Sequence, residues 1–172
     1  MGNKTIYFAK VKPGGVIPTK RDEDGAFDIY ACFDEDYMVL QPHETKLIPT
    51  GIASAFSRDY VAILKERGST GSNGIGQRAG VIDSGYRGEW FIPLTNHNSV
   101  PLIIMKDNDE SESMEIELVL RHGAVKKYHY SKAITQCIMV EVPALSTKEV
   151  SYDELMCFAS DRGTGALGSS GK

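Results

Sequence analysis

The residues of this chain that could do chemistry lie in short stretches far apart in sequence. In GVIDSGYRGEW (80–90), Asp83 stands three residues before Tyr86, and Gly80, Gly85 and Gly88 punctuate a β-branched and aromatic run. That pattern predicts a hairpin with a tight approach at its tip. A carboxylate held there can orient and deprotonate a water, and a neighbouring ring can pack on a sugar or base. The plainer reading of Asp83 is a turn-forming aspartate. Two glycine-rich stretches, ERGSTGSNGIGQ (66–77) and RGTGALGSSGK (162–172), set Arg67 near Ser69 and Arg162 near Ser169 and Ser170. Small residues free backbone N–H groups to face an anion, although a glycine–serine end also frays readily. Gln136 opens the apolar run of KAITQCIMV, and Asp28 lies between aromatics in GAFDIYA. Alone, the first suits a satisfied edge residue and the second a turn or cap. Together these groups supply a general base, a hydrogen-bonding amide, two arginines and two backbone nests. That set suits a polyphosphate with Mg²⁺ bridging its oxygens.

Positioning such a set requires a folded frame, and the apolar pattern is mostly of period two. The segments 4–11, 37–40, 45–49, 60–64, 89–95, 115–121 and 136–142 read as strands, separated by Pro, Gly, Asn and Asp. Only 146–159 suits a short helix or turn. Many short strands predict an all-β barrel, sandwich or jelly roll. DNDESESMEIE (107–117) carries six acidic residues and leads into the basic run HGAVKKYHY (122–130). It reads either as a solvated hairpin tip or as an inserted arm that contacts a partner.

Bulk properties bound the function. The 172 residues are enough for one domain with a real core, at 41% hydrophobic and 24% charged. A net charge of −4 argues against a general nucleic-acid binder but leaves room for a locally basic pocket. Cys32, Cys137 and Cys157 are odd in number and widely spaced, which predicts buried, reduced thiols in a cytoplasmic protein rather than a disulfide framework. The first residues lack the apolar core of a signal peptide, Ile6 breaks the myristoylation pattern, and no run approaches transmembrane length.

The motifs and their order resemble those of the trimeric dUTP pyrophosphatases (dUTPases), of phage or Firmicute type, over nearly the whole chain. The five matching stretches are 25–31, 66–76, 80–89, 132–136 and 162–172. The resemblance implies an all-β, dUTPase-like jelly-roll or β-clip barrel over 1–161 and a flexible C-terminal lid over 162–172. It implies a homotrimer with sites at subunit interfaces that cleaves dUTP to dUMP and pyrophosphate. Asp83 would activate the water, and Asp28 would reach Mg²⁺ through water. Arg67, Ser69, Gln136, Arg162, Ser169 and Ser170 would hold the phosphates. Tyr86 would pack on the deoxyribose, the backbone of Gly80, Val81, Ile82 and Gly88 would read the uracil edge, and Gln77 would face the base.

Three positions depart from the family pattern. Gly68 separates Arg67 from Ser69, so its N–H would stand in for the usual serine; Ala133 replaces an arginine; Leu167 replaces a phenylalanine and keeps apolar cover without ring stacking, next to Gly168, which would also bind substrate. Segment 106–131 exceeds what compact members need, and some phage members bind regulatory proteins through an insert there. Two rivals follow. A dCTP deaminase would need a glutamate where Pro93 stands, and a nucleotide sensor would use the fold without turnover.

Overall fold

Residues 4–107 and 111–165 are described in the computed structural model of the chain. The first half runs through β1 (Tyr7–Lys10), β2 (Phe27–Ile29), β3 (Tyr37–Leu40), β4 (Thr45–Pro49), β5 (Ile52–Ala55) and β6 (Tyr60–Lys65). One helical turn, α1 (Gly68–Gly71), precedes β7 (Ile75–Gln77), β8 (Val81–Ile82), β9 (Phe91–Asn96) and β10 (Leu102–Met105). Then come α2 (Ser111–His122), β11 (Lys126–His129), β12 (Thr135–Glu141) and α3 (Tyr152–Met156). The all-β expectation holds. Among the described residues no helix is long and apolar enough to cross a membrane.

Among the described residues, four small sheets carry the strands, in the orders β1-β5, β11-β10-β3, β2-β12-β6-β8 and β4-β9-β7. Their inward side chains meet in one core that includes Ile29, Leu40, Ile48, Leu64, Trp90, Ile92, Leu102, Ile104 and Ile134. Burial of this apolar area is the main favourable term in folding. Pairing is antiparallel except between β10 and β11, where Leu102 to Met105 run parallel to Lys126 to His129. A parallel pair needs a crossover, and α2 supplies it.

Two expectations are corrected here. Residues 115–121 form part of a helix, not a strand. Ile116, Leu118 and Leu120 alternate like a strand, but the pair that packs is Met114 and Leu118, four apart on one helix face. They lie against Ile103 and Met105 of β10, which turn away from the main core. The strand LIIM is therefore covered on both faces, which accounts for its unbroken apolar run. Second, 80–90 is not a two-stranded hairpin. β8 pairs with β6, whereas β9 pairs with β4 and β7 in another sheet. Trp90, fully buried, takes the chain across, its backbone N–H donating to the Ile52 carbonyl at 2.9 Å.

The chain divides into two compact units, Met1–Val142 and Pro143–Lys172. Within the second, Ser151 caps α3 by accepting from the Glu154 N–H at 3.1 Å, with Asp153 and Glu154 in the first turn.

The two sides of α2 make a direct test of its packing. Leu118→Ala is expected to cost about 2–4 kcal/mol in urea unfolding, and Leu120→Ala, whose side is 82% exposed, less than about 0.5 kcal/mol.

Candidate active site

Register places the first functional groups. Gln136 of β12 lies opposite Asp28 of β2 on one side and opposite Lys65 of β6 on the other. Directly opposed residues present their side chains on one face of a sheet. Arg67 follows two residues after β6 and reaches back over that face. Its Nε lies 2.8 Å from Asp28 Oδ1 and its Nη2 3.2 Å from Oδ2, a two-pronged fork. Its Nη1 lies 3.3 Å from Ser69 Oγ and 3.5 Å from the Ala133 carbonyl. Gln136 donates from Nε2 to the Glu66 carbonyl at 2.8 Å, which leaves its carbonyl oxygen to receive a donor.

Beyond Arg67 the chain closes into α1. Thr70, fully buried, accepts from the Arg67 N–H at 2.9 Å and donates to the Arg67 carbonyl at 3.1 Å. The Thr70 and Gly71 amides also donate to that carbonyl, at 3.1 and 2.9 Å. The amides of Gly68 and Ser69 open the turn and have no acceptor within it. A Cβ on Gly68 would meet nothing within 4 Å, so the chain itself has no steric need of glycine there.

Asp28, Arg67, Gly68, Ser69 and Gln136 share a cavity of about 990 Å³. Its other wall is the loop of Thr19 to Ala26, which adds Lys20 and Arg21 beside Glu23 and Asp24. Arg21 forks onto Asp24 at 2.9 and 3.0 Å. These lining charges were not singled out in the sequence; the signal was the run KRDEDG just before GAFDIYA.

The remaining groups stand on a different part of the fold. Gly80, with φ +151°, gives its carbonyl to the Leu64 N–H at 2.7 Å, and a Cβ there would come within 2.9 Å of the Leu64 carbonyl. Only glycine fits that approach. The Gln77 side-chain amide donates to the carbonyls of Arg78 and Ala79, so it organises its own loop. Asp83 is exposed just after Val81 and Ile82 of β8, and its carbonyl accepts from the Tyr86 N–H at 3.0 Å. Tyr86 donates to the Glu89 carbonyl at 2.9 Å, and a Cβ on Gly88 would collide with its ring. Tyr86 is thereby held rigid while remaining 43% exposed. None of Gln77, Gly80, Val81, Ile82, Asp83, Tyr86 or Gly88 lines the Asp28 cavity. Arg162 closes a turn, donating from Nε to the Gly165 carbonyl at 2.8 Å. Leu167, Gly168, Ser169 and Ser170 lie outside the described residues.

Among the described residues no three His, Cys, Asp or Glu side chains gather as a metal site. The Asp28 carboxylate keeps unshared lone pairs on both oxygens, which leaves it able to accept from a metal-bound water. Burial pushes the Cys137 thiol up to about 12, which keeps it neutral and unreactive; Cys32 is buried as expected, but Cys157, expected buried too, is exposed beside the short helix α3.

The family model for dCTP deaminase-like proteins matches residues 2–109. The deoxyuridine 5'-triphosphate nucleotidohydrolase of Neisseria meningitidis serogroup C is 35% identical over 160 residues, covering 90% of this chain and 87% of that protein. The chain belongs to the dUTPase family. Its fold is also that of solved dUTPases, the jelly roll. A variant dUTPase of Staphylococcus bacteriophage 80alpha, solved with dUpNHpp, superposes with a TM-score of 0.74 at 20% identity, covering 98% and 99% of the two chains. A variant dUTPase from phage phi11 of S. aureus, described as revealing how a structural Mg(II) ion is coordinated, gives 0.63 at 20% identity, covering 85% and 96%. In this dUTPase family member the five sequence motifs thus fall into two groups within the main unit, plus the tail.

Glu66 joins those two groups, accepting from the Gln77 N–H at 3.0 Å at Oε1. Its carboxyl is held below the ordinary 4.5, first by its own backbone amide and then by that of Gln77, against the opposing effect of burial. A depressed carboxyl contributes stability above its unfolded pKa, lost as pH falls through the folded value. Its side chain is 32% exposed, which keeps the effect small. Glu66→Gln is expected to cost about 1 kcal/mol at pH 7 and clearly less at pH 3. Thermal melts of both proteins across that range check the convergence.

Proposed function

We propose that the protein hydrolyses dUTP to dUMP and pyrophosphate at a site shared between copies of the chain, as a homotrimer. The carrying observation is the meeting of Asp28, Arg67, Gly68, Ser69 and Gln136 in one cavity, from segments more than 100 residues apart in sequence. Arg67, the amides of Gly68 and Ser69, and the Gln136 side chain bind phosphate oxygens and offset developing charge. The unfilled space at Gly68 is what close approach of a phosphate requires.

Asp83 is the general base. It takes a proton from a water as the water oxygen bonds to the α-phosphorus. The bond from that phosphorus to the bridging oxygen breaks, and pyrophosphate leaves with the electron pair. Because Asp83 lies outside the cavity of its own chain, a second copy presents it. Tyr86, held against Gly88, packs on the deoxyribose and excludes a 2′-hydroxyl, while the backbone of 80–88 and Gln77 select uracil. Asp28 is the residue that would hold Mg²⁺, through water, and the ion would supply neutralisation of charge on the phosphates. Arg162 and the residues up to Ser170 act as a lid.

The deaminase alternative is disfavoured at Pro93. That residue sits inside β9 opposite Leu47 and carries no ionisable group. A second role has one specific observation behind it. α2 turns Ile116, Val119 and Leu120 outward, at 61%, 38% and 82% exposed, which suits docking of a regulatory protein. Ile116→Asp together with Leu120→Asp should leave turnover near the wild-type rate while abolishing any such capture.

The deciding experiment is pyrophosphate release with Mg²⁺ from dUTP, dTTP, dCTP and UTP in turn. Turnover confined to dUTP is expected. Binding of dUTP without turnover would favour a sensor. Asp83→Asn is expected to slow turnover by about 10²–10⁴-fold with dUTP affinity retained. Truncation after Asp161 should reduce turnover far more than the melting temperature; normal activity would remove the lid from the mechanism.

A further inference from the structure

Segment 106–131 does more than carry α2. Its return strand, β11, touches the phosphate-site turn 67–74 at both ends. At the near end, Tyr128 is 7% exposed and packs into the main core. Its hydroxyl donates to the Ala133 carbonyl at 2.6 Å, the same oxygen that Arg67 Nη1 approaches at 3.5 Å. That nitrogen also donates to Ser69 Oγ. Burial raises the Tyr128 pKa, partly countered by the Ser69 hydroxyl and the Arg67 guanidinium beside it, so the phenol is a neutral donor. At the far end, Lys126 Nζ donates to the Asn73 carbonyl at 2.7 Å and to Asn98 Oδ1 at 3.2 Å. Asn73 in turn donates from Nδ2 to the Ser69 carbonyl at 2.7 Å. A small cavity of about 110 Å³, lined by Ser69, Asn73, Lys126 and Tyr128 among others, backs the turn between these two grips.

We infer that Tyr128 and Lys126 are positioning residues, which hold the turn 67–74 so that Arg67 and the Ser69 amide point at the phosphate chain. The inference rests on the proposed function. The Ala133 carbonyl has two lone pairs, and Tyr128 occupies one. Without that hydroxyl a buried acceptor is left wanting, and the guanidinium is the nearest donor that can satisfy it. Arg67 then turns from Ser69 toward Ala133. Lys126 acts at the other end of the same turn, by a charge-assisted bond to a carbonyl that closes it.

The test separates positioning from simple support of the fold. Affinities for a non-hydrolysable α,β-imido analogue of dUTP and for dUMP are measured on the wild type, Tyr128→Phe and Lys126→Met. Positioning predicts about tenfold weaker binding of the triphosphate analogue in each variant, with dUMP affinity closer to wild type. KM is expected to rise more than kcat falls. A purely structural role would lower the melting temperature and leave the ratio of the two affinities unchanged, and that result overturns the inference. If Tyr128→Phe does not fold, the ratio in Lys126→Met decides. A wild type that binds no triphosphate overturns the proposed function itself, whereas a normal wild type with normal variants overturns only this inference.

Discussion

Gln136 stands between Asp28 and Lys65 because β12 is hydrogen-bonded to β2 on one side and β6 on the other. A slip of one residue in either pairing would send Asp28 or Gln136 to the opposite face. That register is protected by the core. Ile29 and Cys137 alternate with Asp28 and Gln136 and are completely buried, so the apolar set cannot move without exposing itself. The polar groups of the cavity therefore inherit their positions from hydrophobic burial beneath them. Arg67 completes the arrangement by bridging from the end of β6 to β2. Its fork onto Asp28 is only partly exposed to water, at 30% and 34% for the two side chains, so it loses less to screening than a fully solvated pair.

The groups with chemistry were legible where a residue type must meet a local backbone demand. Gly80 marks a close approach to Leu64, and Gly88 makes room for the Tyr86 ring, so the glycine punctuation of 80–90 carried real structural information. Asp28 and Gln136 were visible as polar residues out of place in apolar runs. What those residues faced was not legible, because register is a long-range property. The chain contributes Asp28 and Gln136 to one cavity and Asp83 to another surface, and spacing in sequence cannot report that division. The loop of Lys20 and Arg21 escaped notice because a mixed charge run resembles any solvated surface.

The missed helix at 115–121 and the missed strand at 102–105 have one physical origin. β10 is four apolar residues with no polar partner to set a period, and 115–121 alternates by coincidence of composition. Each hides the other's role. α2 exists to cover Ile103 and Met105, and LIIM can be wholly apolar because α2 covers it. Tyr128 was missed because its value depends on Arg67, from a distant segment, approaching the same Ala133 carbonyl, and no local pattern announces that neighbour.

On the proposed mechanism, electrostatics gives a reason for Asp83 to stand on a different surface from Asp28, Arg67 and Gln136. The cavity is already near balance, with Lys20, Arg21 and Arg67 set against Glu23, Asp24 and Asp28. A further carboxylate inside it would repel a phosphate chain. An exposed turn keeps Asp83 clear of that repulsion in the single chain. On the proposed mechanism, the carboxylate would come to the phosphorus when another copy's turn closes over the cavity. Asp28 escapes the same objection because Arg67 holds both its oxygens and takes up its charge. On the proposed mechanism, the division of these groups would be a consequence of charge, and it would make activity dependent on assembly.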